Sequence, residues 1–87
     1  MPNIDFKDVE AIDPSTMAVS FPATVDGVQI RCVISTEALQ DHFNAMIDDQ
    51  LDVFKSNRYS IECKAREVIE SGRYEAGGSI LIRSSDF

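Results

Sequence analysis

The dipeptide Asp26-Gly27, set between two alternating apolar runs, constrains this chain more than any other feature. A two-residue hairpin turn of type I′ needs positive φ at both central positions, which Asp tolerates and Gly adopts freely. Pairing Val25 with Val28 across that turn predicts a hairpin over Met17–Ile34. Ala23 then faces Ile30, Phe21 faces Cys32, and Val19 faces Ile34. Those eight residues share one face. Thr24 with Gln29, Pro22 with Arg31, and Ser20 with Val33 share the other, the pattern of a sheet covered on one side only. Pro22 occupies a non-hydrogen-bonded position relative to its hairpin partner, so its missing N–H faces away from that partner and predicts that the strand is an edge near Pro22 or is paired on that side only before it.

With 87 residues the chain has room for one domain, residues 1–87, and a second is excluded. Hydrophobic residues at 44% and charged residues at 26% are ordinary for a globular protein. No apolar run approaches the roughly 20 residues that cross a bilayer. The start Met1-Pro2-Asn3-Ile4-Asp5 has neither a basic nor an apolar leader region, which makes the cytoplasm the default address. The net charge of −7 is uneven: residues 1–52 carry ten acids against Lys7 and Arg31, whereas residues 53–87 carry six bases against five acids. An acidic front half disfavours nucleic acid, because phosphate contacts need clustered bases.

Along the chain, Ile4–Phe6 is a candidate strand, followed by an acidic connection over Lys7–Ile12 and a type I turn at Asp13-Pro14-Ser15. After the hairpin, Ser35 suits a helix N-cap, with Glu37 in the first turn. The spacing of Leu39, Phe43 and Met46 predicts a helix to about Met46. Asp48 and Asp49 start a second helical region, with Leu51, Phe54, Ile61, Ala65, Val68 and Ile69 on one face and Gly72 as its left-handed stop. That periodicity places Arg58 on the buried stripe. Either the helix breaks at Asn57 or Arg58 is a partly buried cation that needs a carboxylate or carbonyl partner, and a kink or break with Arg58 tethering neighbouring elements is the favoured expectation. Gly77-Gly78 connects to a last strand over Ser79–Arg83, whose Ile80-Leu81-Ile82 run suits burial on both faces or a subunit contact. The order β-β-β-α-α-β, with the second α divisible, predicts a two-layer α+β fold: a mostly antiparallel four-stranded sheet with helices on one face.

Recognisable chemistry is sparse. Cys32, His42 and Cys63 lack metal-ligand spacing, and Cys32 points into the apolar face while Cys63 lies on a helix surface, so both are expected as free thiols and no metal or cofactor is expected. No Gly-rich elbow or oxyanion hole marks a nucleophile. Asp48, Asp49 and Asp52 lack a calcium-loop frame and read as a helix start. Lys55, Arg66 and Arg73, with Tyr59 beside them, resemble a nucleic-acid platform in composition. Glu62 and Glu70 interrupt it, and the steps Arg58 to Glu62, Glu62 to Arg66 and Arg66 to Glu70 read as a salt-bridged solvated face.

The stretch Val19-Ser20-Phe21-Pro22-Ala23-Thr24-Val25-Asp26-Gly27, continued by Cys32-Val33-Ile34-Ser35-Thr36-Glu37-Ala38-Leu39, resembles the small bacterial YrdB-like family, a domain of unknown function. The segment from Phe54 to Ile69, with Asn57-Arg58, Ile61-Glu62 and Ala65, is similar to that family's C-terminal helix. The resemblance runs from Met17 to Ile69. It implies a cytosolic, one-domain protein of proteobacterial origin and brings no activity with it.

Three readings follow for function. The preferred one is a non-enzymatic cytoplasmic accessory or protein-interaction module, either binding a partner or forming a homodimer by strand addition at the last strand. Its candidate contact residues are Arg31 and Val33 on the exposed hairpin face, Arg58, Arg66 and Arg73 on the helix, and Ile80 and Ile82. The second is a ligand-binding or enzymatic domain with a cleft near Cys32, His42 and Arg58. The third is a weak nucleic-acid-binding regulator acting through Lys55, Arg66 and Arg73.

Overall fold

The Asp26-Gly27 reversal is built with φ of 50° and 86° at its two residues, the doubly positive geometry that a type I′ turn needs. The computed structural model describes residues 3–7, 9–46 and 48–87. Met1 and Pro2 of the opening segment, Asp8 of the acidic connection, and Ile47 lie outside the described residues. The elements are β1 (Ile4–Phe6), β2 (Ala11–Ile12), β3 (Val19–Val25), β4 (Val28–Ile34), α1 (Thr36–Phe43), α2 (Gln50–Ser56), α3 (Arg58–Glu70) and β5 (Ile80–Ile82), with a short 3₁₀ turn at Ser84–Asp86. All seven cross-strand pairs of β3 and β4, from Val25 with Val28 to Val19 with Ile34, match the register expected from the turn.

The sheet runs β1-β3-β4-β5, with β2 also on the outer side of β3. β1 pairs with β3 from Ile4 opposite Val25 to Phe6 opposite Ala23, and β2 pairs Ala11 with Ser20 and Ile12 with Val19. Only Phe21 and Pro22 of β3 separate the two pairings, against the longer stretch of chain that joins β1 to β2. Pro22 has no N–H to donate toward that side, so the ladder stops there and resumes at β2. The anticipated edge at Pro22 is therefore a gap between two short strands. Ala11 and Ile12, expected within the connection, are its second half, which makes five strands rather than four. β4 and β5 are parallel, with Cys32, Val33 and Ile34 opposite Ile80, Leu81 and Ile82.

One face of this sheet carries the core. Val19, Phe21, Ala23, Cys32, Ile34, Ile80 and Ile82 are buried beneath Ala38 and Leu39 of α1, Phe54 of α2, and Ile61, Ala65, Val68 and Ile69 of α3. The ring of Phe21 lies 5.0 Å from that of Phe54, where α2 crosses β3. The helices stop short of the hairpin tip: Val25 and Ile30 are half-buried and Val28 is exposed. Covered and bare faces make this a two-layer α+β fold.

Helix ends follow local chemistry. The Ser35 hydroxyl accepts from Ala38 N–H at 3.1 Å, starting α1. Asn44, in the left-handed conformation, ends it three residues earlier than the spacing predicts. Met46 consequently lies outside the helix and is exposed, with its N–H donating to the Asp49 carboxylate at 2.6 Å. The break between α2 and α3 falls at Asn57, where the side-chain amide donates to Val53 O at 2.9 Å and competes for a helix carbonyl. Gly72, at φ 74°, follows the end of α3 as expected. At the other end of the hairpin, Met17 has φ 60° and stands outside β3, which begins at Val19.

Candidate functional site

The bare face of the sheet is built from the even positions of β3 and the odd positions of β4. Its widest row crosses four strands: Ala11 of β2, Ser20 of β3, Val33 of β4 and Leu81 of β5 are successive cross-strand neighbours. Pro22 and Arg31 form the next row. Val33 and Leu81 therefore make a half-buried apolar pair between β4 and the edge strand β5. Arg31 stands two residues before Val33 and Arg83 two residues after Leu81, so the alternation of a strand puts both cations on this face at opposite corners of the pair. Their side chains are 54% and 57% exposed, enough for either to meet a partner. A groove of about 390 Å³ opens beside the row, lined by Val9, Ala11, Pro22, Gln29 and Arg31 among others.

Arg31 is held in place by Asp13. Its guanidinium meets the carboxylate at 2.9 Å, while the other carboxylate oxygen accepts from Ser15 N–H at 2.9 Å and from the Ser15 hydroxyl at 2.8 Å. The Ser15 backbone bond, its hydroxyl and Arg31 hold the Asp13 pKa down at about 2. The Asp13-Pro14-Ser15 turn is thus present and fixes a cation on the bare face.

The remaining sequence candidates are each buried or engaged by neighbours of their own. Cys32 is wholly buried, and burial, aided by the charge of Glu62, pushes its thiol up to about 12. His42 is at the far end of α1, where Nε2 lies 2.8 Å from Ser84 O and the ring stacks on Phe87 at 4.8 Å. Arg58 is paired with Glu10 and, at 3.7 Å, with Glu62, and lies 5.1 Å above the Phe54 ring. Its side chain is 22% exposed and that of Glu10 11%, so it is the tether that its place on the apolar stripe requires. Two cysteines remain free, Cys32 buried and Cys63 exposed.

Arg66 of α3 and Arg73, beyond its end, are engaged at different places. Arg66 reaches over β1 to donate to Ile4 O at 3.3 Å, whereas Arg73 pairs with Asp86 at 2.8 Å beyond β5, on the opposite side of the sheet. Their engagement at opposite edges removes the continuous platform that their sequence spacing offers. Ile80 and Ile82, proposed as contact residues, are instead fully buried in the core. Parallel pairing turns both side chains under the helices, so of the apolar triplet only Leu81 reaches the bare face.

One grouping escaped the sequence reading. The Ser84 hydroxyl donates to Asp41 at 2.7 Å and lies 3.3 Å from His42 Nε2. Asp41 and His42 are adjacent, but Ser84 is brought to them by the turn after β5, and no spacing signals that. The connectivity differs from a nucleophilic triad: the serine proton is directed to the carboxylate, and the histidine nitrogen also meets a peptide carbonyl. The arrangement fastens a turn. Among the described residues no cluster of His, Cys, Asp and Glu is arranged to hold a metal, and no helix is long and apolar enough to cross a membrane.

Comparison with known proteins agrees with this architecture. A family model described as "Protein of unknown function (DUF1488)" matches residues 4–82, from the first residue of β1 to the last of β5. The chain belongs to the DUF1488 family. The DUF1488 chain is 37% identical over 80 residues to "Uncharacterized protein YrdB" of Escherichia coli K12, covering 91% of this chain and 94% of that one. The YrdB of Shigella flexneri matches to the same extent. A crystal structure of a DUF1488 protein of unknown function from Shewanella loihica PV-4 superposes with a TM-score of 0.82 at 26% identity, over 91% of this chain and 90% of the other. The YrdB-like resemblance is thereby established, and with it the α+β fold. The DUF1488 match ends at Ile82, so the turn that carries Ser84, Asp86 and Phe87 lies beyond it.

Proposed function

We propose that this DUF1488 domain is a non-catalytic, cytoplasmic protein-interaction module that binds through the bare face of its sheet. The observation that carries the reading is the Val33–Leu81 pair, with Arg31 and Arg83 at its corners. Apolar surface not covered by helices, with cations at its corners, is the composition of a recognition patch. The complementary partner is a protein surface offering apolar side chains flanked by carboxylates. Against an enzymatic reading stand the buried, protonated Cys32 and the engagement of both Ser84 and His42 in fastening the final turn.

The test compares the wild-type domain with Val33→Lys/Leu81→Lys and with Tyr59→Lys, a substitution at an exposed residue of α3. Proteins captured from a bacterial lysate are ranked by their loss from the sheet variant, and the top candidate is purified and titrated by calorimetry. The expected result is binding to wild type and Tyr59→Lys, weakened at least tenfold in the sheet variant. Equal binding by all three overturns the reading.

A further inference from the structure

The outer edge of β5 carries a specific form of protection. Ser35 N–H donates to Ile82 O at 3.0 Å, which turns the peptide groups of Ile80 and Ile82 toward β4. Alternation then turns those of Ser79, Leu81 and Arg83 to the outside. Two of the three are occupied at their exposed ends. Ser79 O accepts from Glu75 N–H at 2.7 Å, and Arg83 N–H donates to the Asp86 carboxylate at 2.7 Å. Asp86 is held there by Arg73 at 2.8 Å, and Arg83 is pinned further by Glu75 at 3.8 Å. Phe87, the next residue, is seated against His42 and Phe43, with Lys64 5.5 Å above its ring.

The occupied groups are not a random pair. If β5 met β5 of a second copy about a twofold axis through Leu81, the antiparallel register would place each Leu81 opposite the other and each Arg83 opposite Ser79. Of the four outer bonds added to the central pair, two would need Arg83 N–H, Ser79 O and their symmetry mates, and the other two Ser79 N–H and Arg83 O, the latter already accepting from Asp86 N–H at 2.9 Å. Asp86 consumes that donor within the chain, and Glu75 N–H occupies one lone pair of that acceptor. Of the outward groups, the Leu81 N–H and C=O and the Ser79 N–H are left, too little to hold a strand.

We propose that the turn after β5 is an edge guard: Asp86 and Glu75 keep a second copy of this chain from adding to the Ile80-Leu81-Ile82 strand. Removing the guard uncovers an apolar strand ready for self-pairing, the hazard that exposed edges carry.

Sedimentation velocity across a concentration series tests this with four full-length proteins. Wild type is expected to sediment as a monomer throughout. Asp86→Ala, which frees Arg83 N–H, is expected to shift to dimer as concentration rises. Asp86→Asn keeps a carbonyl oxygen for that N–H and is expected to remain monomeric. Leu81→Pro in the Asp86→Ala background removes the central outward N–H without touching a bond to β4, and is expected to restore the monomer. A monomeric Asp86→Ala overturns the proposal, provided circular dichroism shows it folded. If Asp86→Ala is unfolded, Glu75→Pro, which deletes the N–H on Ser79 O, replaces it with the same expectations. A dimer that survives Leu81→Pro overturns the proposal, and so does a wild type that pairs through β5.

Discussion

The Arg58 guanidinium at the start of α3 is paired with the carboxylate of Glu10, which the chain joining β1 to β2 delivers to it. A connection between two short strands thus supplies the partner of a half-buried cation in the helical layer. Removing either member leaves the other charge poorly solvated. Arg58→Ala is expected to cost about 3 kcal/mol, the lower end for a buried pair because some solvent reaches it. Arg58→Met with Glu10→Leu is expected to recover most of that loss. Urea unfolding of the two single variants and the double variant, read as a mutant cycle, checks both values.

Gln50 opens α2 at 2% exposure, and neither its amide nitrogen nor its oxygen has a hydrogen-bond partner among the described residues. Desolvating an amide without a partner costs roughly 1–3 kcal/mol. Gln50→Met, similar in length and apolar, is expected to gain about 1 kcal/mol. In a domain of this size that raises Tm by roughly 4–8 °C, which calorimetry reads directly.

Met17 holds φ 60° between the Asp13 turn and β3, with its N–H on Asp13 O at 2.7 Å. Left-handed backbone costs a side-chain-bearing residue about 1–2 kcal/mol, part of which glycine returns as unfolded-state entropy. Met17→Gly is expected to stabilise by about 0.5 kcal/mol. Met17→Val is expected to destabilise, since a branched side chain fits this conformation worst. Thermal melts of the two variants should move in opposite directions.

The two thiols differ by environment alone. Cys63 is exposed, whereas Cys32 is buried with its pKa pushed up to about 12, first by burial and then by Glu62. A thiol reagent at neutral pH is expected to label one cysteine per native chain and two in denaturant. Peptide mapping should assign the native label to Cys63.

Asp13 titrates at about 2 in the folded chain against an ordinary 3.8. A folded value below the unfolded one means its ionised form stabilises the fold above about pH 4, and this contribution fades as pH falls toward 2. Carboxyl-carbon NMR titration should show the low midpoint. Arg31→Ala and Ser15→Ala are each expected to raise it. The double variant is expected to leave it still somewhat depressed, because the Ser15→Ala change removes the hydroxyl and keeps the backbone N–H.

The hairpin was legible because every determinant is local: two turn residues, a period of two, and a polar alternate face. Its seven pairs follow from residues 19–34 alone. Arg58 was legible as a tether because its position conflicts with the helical stripe. Glu10 was not legible as its partner, since the pairing depends on the path of the chain between β1 and β2. Ile80 and Ile82 read equally well as core or as contact surface. Only the parallel docking onto β4, set by the path of the intervening helices, decides for core. The bare-face row has the same cause: Val33 announced itself as solvent-facing, but Leu81 joins it only once β5 is placed. Ser84, Asp41 and His42 meet through a turn whose direction no periodicity encodes.

The parallel pairing of β4 with β5 has a consequence for how the chain is made. The hairpin closes around two residues, whereas β5 meets β4 only after residues 35–79 have been threaded between them. Short-range contacts form early and distant ones late, since a long loop must first be ordered. A nascent chain therefore carries a finished hairpin whose flank at Cys32 and Ile34 stays bare until β5 has been made. The seam most exposed to chaperones and to misassembly is that flank.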